Sequence, residues 1–165
     1  MEQRNNFRSD TRSMANAAFV AGTTSTYTTT ASTSSVIRGA WGTVLTAQTN
    51  TASPTTDANT GLAFRPLAVN QATCLVWGTN AAGAIQLVQG TIVPTAPGVT
   101  TTVGSFITYP QFPVLPDDFC PHAYSVIRTA PSAAAWTPGT SSWAASGVTT
   151  TFKNVSTLPD RPQAS

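Results

Sequence analysis

The chain has 165 residues, enough for one domain whose core needs neither a disulfide nor a metal ion to fold. Only 8% of the residues are charged and the net charge is +2, so the basic patch of a nucleic-acid-binding protein is missing. No apolar run is long enough to cross a membrane. The two cysteines, Cys74 and Cys120, lack metal-ligand spacing and are expected to be buried free thiols.

Residues 1–16 differ in composition from the rest and are predicted to form an N-terminal arm, followed by an all-β domain over residues 17–165. The arginines of the arm recur every four residues and would line one face of a helix that docks on an acidic partner. The alternative is a solvated, mobile terminus. No targeting signal is visible, so we expect a protein made in the cytoplasm and not exported. The candidate interface residues of the arm are Arg4, Phe7, Arg8 and Arg12.

The next segments favour extended chain. The threonine-rich stretch 22–35 predicts an edge strand or a strand that pairs with another chain, because threonine is β-branched. The apolar residues of Val36–Gln48 predict another strand, with a bulge where glycines interrupt it near Trp41. Asn50–Gly61 has the composition of a turn-rich loop.

Residues 66–116 contain no Lys, Arg, Asp, Glu or His, and most catalytic strategies need such groups. The block opens with a strand over Thr73–Gly78, and Asn80–Gly83 predicts a hairpin connection. The return strand, Ala84–Val93, is apolar on both faces, which is typical of a strand buried on both sides. We therefore expect its second face to be covered by another chain, either a sister subunit or a larger assembly.

A further strand is predicted over Val103–Tyr109. The proline run, Tyr109–Pro116, follows it with three prolines at three-residue spacing. This spacing forbids helix and fits an extended polyproline or edge conformation. Charge returns at Asp117–Asp118, which we interpret as a loop break or a hydrophilic rim of an interface. The candidate interface residues in the proline run are Tyr109, Phe112, Val114 and Leu115.

The last third predicts two more strands, Ala123–Thr129 and Gly147–Val155, separated by a loop of small residues that carries Trp136 and Trp143. The preferred role of these two tryptophans is to anchor a neighbouring subunit. The alternatives are packing over their own sheet and stacking on a sugar ring. The whole pattern predicts an all-β fold with little helix, a single β-sandwich or jelly-roll-like barrel of about seven to eight strands.

Candidate catalytic residues are few. His122 is the one histidine, and no nucleophile-elbow motif accompanies it, so we expect a hydrogen-bonded residue at a strand start rather than a catalytic base. The Asp117–Asp118 pair lacks the ligand alternation of calcium loops. No glycine-rich phosphate cradle occurs. The sequence therefore predicts a protein that is not an enzyme and uses no cofactor or metal.

Several motifs resemble a family of tailed-bacteriophage virion proteins: TCLVWGTNAAGAIQLVQGTI, then YPQFPVLPDDFCPHAYSVIR, then a tryptophan loop with SSW and GVT, and a terminal LPDRPQ. The similarity spans roughly residues 61–163. It implies a structural role in the particle and brings no catalytic residues with it.

If the chain is a virion component, as the resemblance implies, we expect a head decoration (cement) protein on the capsid exterior. Its partners would be the major capsid protein and further copies of itself, in a homotrimer, with no nucleic acid or membrane partner. Many weak contacts held at high effective concentration by the lattice would then act together. The alternatives are a fibre or adhesin module that binds host-surface glycan through residues 131–146, and a tail or neck component.

Overall fold

The computed structural model describes residues 11–163, and within that range the chain forms strands and no helix. The all-β prediction is confirmed, in three sheets compatible with a β-sandwich. Three strands are only two residues long, and the remaining eight match the predicted number. The strands are β1 (Arg12–Ser13), β2 (Phe19–Ala21), β3 (Thr26–Thr29), β4 (Ser35–Ile37), β5 (Ala40–Trp41), β6 (Gln48–Ala52), β7 (Gln71–Thr79), β8 (Ile85–Gln89), β9 (Val93–Pro94), β10 (Cys120–Thr129) and β11 (Val148–Asn154).

A five-stranded antiparallel sheet forms the centre, in the order β11-β10-β7-β8, with β9 beside β8 along the same edge of β7. The predicted hairpin between β7 and β8 is confirmed, and the backbone N–H of Gly83 donates to the carbonyl of Asn80 at 2.9 Å to close its turn. At Gly78, an added Cβ would collide with the Cys120 carbonyl and the Phe119 ring, so only glycine lets β10 approach there.

One face of the central sheet carries an aromatic core. Trp77 is fully buried on β7, and the sheet β2-β3-β6 covers it through Phe19 and Tyr27. The side chain of Asn154 joins the two sheets, because it donates to the carbonyl of Phe19 at 3.0 Å and accepts from its N–H at 2.6 Å. These bonds imitate one step of a β-ladder between β11 and β2.

The other face of the central sheet is covered by this chain itself, so the prediction that another chain covers it is wrong. Alternate residues of β7 and β10, among them Val76, Tyr124 and Val126, form a second buried cluster. The proline run packs Phe112 and Leu115 against this cluster. An extended proline segment crosses a sheet without needing ladder partners, which suits it to this covering role.

Several local predictions also differ from the structure. The threonine-rich strand β3 lies between β2 and β6 and is not an edge. The predicted strand Val36–Gln48 is divided by a tight turn at Arg38–Gly39, where both residues have positive φ, as in a two-residue hairpin. The segment Val103–Tyr109 forms only an isolated bridge, from Phe106 to Thr95.

The described part of the predicted arm, residues 11–16, is packed against the domain. Strand β1 pairs with β4, and Ser13 is buried there. The N–H of Ser13 also donates to the carbonyl of Ser156 at 3.0 Å. The candidate arm residues Arg4, Phe7 and Arg8 lie outside the described residues.

The prediction of two buried free thiols is confirmed. Cys120 lies opposite Thr79 in the β7–β10 ladder, whereas Cys74 is five residues further along β7. That separation is roughly 16 Å at the rise of a strand, which is far beyond the reach of a disulfide. Burial raises the pKa of both thiols, that of Cys120 to about 12.

Candidate interaction surface

Trp136 and Trp143 lie inside the protein, which corrects the prediction that they anchor a neighbouring subunit. They are 1% and 5% exposed and pack on each other with ring centroids 5.2 Å apart. Their indole N–H groups donate to the carbonyls of Ser142 at 2.9 Å and Thr26 at 2.8 Å. Each ring therefore has an apolar environment and a satisfied donor, as a buried tryptophan requires. A sugar platform built from these two rings is excluded for the same reason.

The four candidate residues of the proline run divide into two pairs. Phe112 and Leu115 are half-buried, and the Phe112 ring meets the edge of Tyr124 at a centroid distance of 5.0 Å. Tyr109 and Val114 are 54% and 80% exposed. The inner pair holds the run on the sheet, and the outer pair faces solvent.

A hairpin-like excursion precedes the proline run and projects further apolar surface. Its two sides are joined by the bond from the N–H of Ala96 to the carbonyl of Ser105, at 2.9 Å. They approach so closely that a Cβ on Gly98 would come within 2.8 Å of the Gly104 nitrogen. Val99 at the tip is 77% exposed.

We define the uncharged surface as the exposed side chains of Val99, Ile107, Tyr109 and Val114, with exposures of 54–80%. All four come from residues 66–116, where no ionisable acid or base occurs apart from the tyrosine and the cysteine. Single exposed apolar residues are ordinary. Four of them within residues 99–114, where no charged side chain occurs, share the low charge of an interface centre.

A second exposed feature is the outer face of the small sheet β1-β4-β5. The register places Arg12, Val36 and Trp41 directly opposite one another across its three strands. Trp41 is 70% exposed and Arg12 is also exposed. The sequence pattern places Trp41 in a strand and predicts no surface role for it. The glycines on both sides of Ala40–Trp41 are the signal in the sequence for a short exposed hairpin.

His122 is enclosed rather than exposed, and the prediction of a hydrogen-bonded residue near a strand start is confirmed. Its Nδ1 lies 2.8 Å from the Ser13 hydroxyl, and its Nε2 lies 2.8 Å from the Thr79 hydroxyl. In a neutral ring one of these nitrogens donates to its hydroxyl partner and the other accepts from its own. This arrangement fits a neutral ring, and burial lowers its pKa from 6.5 to about 4.

Two arginines and two aromatic rings line an open cleft of about 410 Å³ beside the uncharged surface. We call it the arginine cleft and define it by Phe106, Tyr109, Arg128 and Arg161. The remaining lining comes from Ser105, Pro162 and Gln163. Among residues 11–163, no carboxylate lies within 4 Å of either guanidinium. The ion pair in that range joins Arg38 to Asp117 at 2.7 Å, and neither residue lines the cleft.

A metal site and a membrane-spanning helix are both absent from the described part of the chain. No group of three or more His, Cys, Asp and Glu side chains in residues 11–163 is arranged to hold a metal ion. Within the same range no helix has the length and apolar character needed to span a membrane.

Comparison of the chain with protein-family models, with curated proteins and with solved structures gives no match. The resemblance to phage virion proteins therefore stays a prediction.

Proposed function

We propose that this chain is a non-enzymatic structural subunit of a tailed-bacteriophage particle, a head decoration protein that binds the major capsid protein and other copies of itself. The observation that carries the proposal is the uncharged surface, where Val99, Ile107, Tyr109 and Val114 stand exposed in a segment without charge. The centre of a protein interface is depleted in charged side chains, as this surface is.

The packing beneath the uncharged surface supports a role in binding another protein. The proline run is fastened to the sheet through Phe112 and Leu115, so its outward residues are presented from a supported segment. A binding surface that is ordered beforehand loses less conformational entropy on association. A capsid lattice would also strengthen binding, because its neighbouring sites hold weakly bound subunits at high effective concentration.

The one histidine also has a structural use. Both ring nitrogens of His122 are engaged with buried hydroxyl groups, and the ring is 1% exposed. A general base must reach the proton that it abstracts, directly or through one water. Since this ring is enclosed by its own fold, it supports the structural interpretation of the chain.

The test measures binding of the purified chain to particles of the phage that encodes it, from which the native copies have been removed. Val99→Asp and Val114→Asp each place a charge in the uncharged surface. We expect each to weaken binding roughly tenfold or more, because an unpaired charge must be desolvated at the interface.

Leu62→Asp is the matched control, since Leu62 is 69% exposed and lies outside the charge-free segment. Such exposed changes leave stability within about 0.5 kcal/mol, so lost binding would not reflect unfolding. The proposal fails if the unmodified chain does not bind particles, or if the Asp variants on the uncharged surface bind as well as the control. Light scattering on the free chain tests the expected trimer.

A further inference from the structure

The arginine cleft holds the guanidinium group of Arg128 in a fixed position. The Arg128 guanidinium lies over the Phe106 ring at 4.9 Å from its centroid, and Phe106 in turn stacks on Tyr109 at 4.7 Å. One N–H of Arg128 donates to the carbonyl of Gly104 at 3.3 Å. A guanidinium has five N–H donors. Most of those on Arg128 therefore have no acceptor among the described residues.

Arg161 contributes a second guanidinium to the same cleft, from the exposed C-terminal segment. This segment is tied to the sheet by the N–H of Gln163, which donates to the Tyr124 hydroxyl at 3.0 Å. No described carboxylate neutralises either arginine within 4 Å. Two guanidinium groups with no carboxylate within 4 Å in residues 11–163 favour an anion in the cleft, and their planar donor pairs match a carboxylate.

The volume and the lining of the cleft restrict the class of ligand further. The cleft measures about 410 Å³, within the range of ligand sites and far larger than a bare anion. Its wall includes the exposed ring of Tyr109, which a bare anion would leave uncovered. A carboxylate with an adjacent apolar group would engage the arginines and the aromatic ring together.

We propose that the arginine cleft docks an acidic side chain, together with a neighbouring apolar side chain, from an exposed peptide segment of the partner protein. The identity of that partner as a capsid subunit rests on the proposed function, whereas the chemistry of the cleft does not. The cleft shares Tyr109 with the uncharged surface, so both would be covered in one binding event.

The first experiment tests the chemistry with dipeptide probes and amide chemical shifts. Acetyl-Glu-Leu-amide should shift the signals of Arg128 and Gln163 in a saturable way, and the neutral acetyl-Gln-Leu-amide should not. Arg128→Gln and Arg161→Gln should each weaken binding of the Glu probe roughly tenfold. Arg65→Gln is the matched control, because Arg65 is exposed and distant in sequence from the cleft.

Three results would overturn the proposal. They are equal binding of the two dipeptides, binding of inorganic phosphate as tightly as the Glu probe, and binding that survives both cleft variants. Arg161 is exposed, so its variant should remain folded even where Arg128→Gln does not. Arg128→Lys keeps the charge but loses the planar donor pair, and we expect it to bind the Glu probe more weakly than the unmodified chain.

The second experiment uses phage particles and separates the two proposals. If the unmodified chain and Arg65→Gln bind particles while the cleft variants bind roughly tenfold more weakly, both proposals are supported. Equal particle binding by all of them would overturn the docking proposal and leave the proposed function intact. If no variant binds particles, the proposed function fails, and the dipeptide result alone decides the chemistry of the cleft.

Discussion

Lowering the pH from 6.5 to 4 should destabilise the fold through His122. The buried ring has its pKa lowered to about 4, whereas an unfolded histidine titrates near 6.5. Between these values the unfolded chain binds a proton that the native chain does not, so stability falls as the pH falls. Above pH 6.5 the neutral His122 ring makes its full contribution to the free energy of unfolding. Across about 2.5 pH units the loss amounts to roughly 3 kcal/mol.

The geometry explains why the native ring resists protonation. Both ring nitrogens already make hydrogen bonds in a buried site, Nδ1 with Ser13 and Nε2 with Thr79. In the protonated ring both nitrogens donate, so the hydroxyl that donates to the neutral ring would have to turn its hydrogen away. The new charge would also have no carboxylate partner within 4 Å among the described residues. Both effects oppose the charged form.

The assay is urea denaturation at intervals from pH 7.5 to pH 4, on the unmodified chain and on His122→Gln. The variant keeps a polar side chain but cannot titrate, so the difference between the two curves isolates this histidine from the carboxylates. We expect the difference in free energy of unfolding to shrink by roughly 3 kcal/mol as the pH falls from 6.5 to 4. Parallel curves would refute the reasoning, because they would mean that the native ring accepts a proton without cost.

Two further substitutions, each with a control, test the aromatic core and the buried carboxylate of Asp57. Trp143→Ala should lower the free energy of unfolding by about 3–5 kcal/mol in thermal or urea unfolding, because it leaves a cavity in the aromatic core. Its control, Trp41→Ala, should lower it by less than about 1 kcal/mol. Equal losses would contradict the assignment of Trp143 to the core. Asp57→Ala should cost about 2 kcal/mol or more, since the buried carboxylate accepts three backbone N–H groups, including that of Gln89 at 2.7 Å. Asp118→Ala, on the exposed turn, is its control, and a similar loss there would argue against a specific role for Asp57.

The Trp143 result bears on how a tryptophan in a loop of small residues should be interpreted. The small residues around Trp143 favour a surface anchor, with packing over its own sheet as an alternative. Small neighbours also let a chain fold closely over a sheet, and Trp143 uses that freedom to reach Trp77, with ring centroids 5.8 Å apart. Only the path of the loop distinguishes the two outcomes.

The candidate site was partly predictable. Tyr109 and Val114 were selected from the charge-free proline run, and both are exposed. The arginine cleft was not anticipated, because its two arginines are 33 positions apart in the printed sequence, Arg128 on a strand and Arg161 near the end. Local pattern carries no information about such a pairing.

By itself the sequence determined the strand content, the β7–β8 hairpin and the burial of both faces of the central strands. Those properties follow from β-branched composition, turn residues and two-residue periodicity, all of which act over a few neighbouring residues. Only the tertiary structure decided what covers the second face. Periodicity shows that a face must be shielded from water, but the apolar atoms that shield it can come from any chain. Here they come from the proline run of the same molecule, whose Phe112 lies against Tyr124.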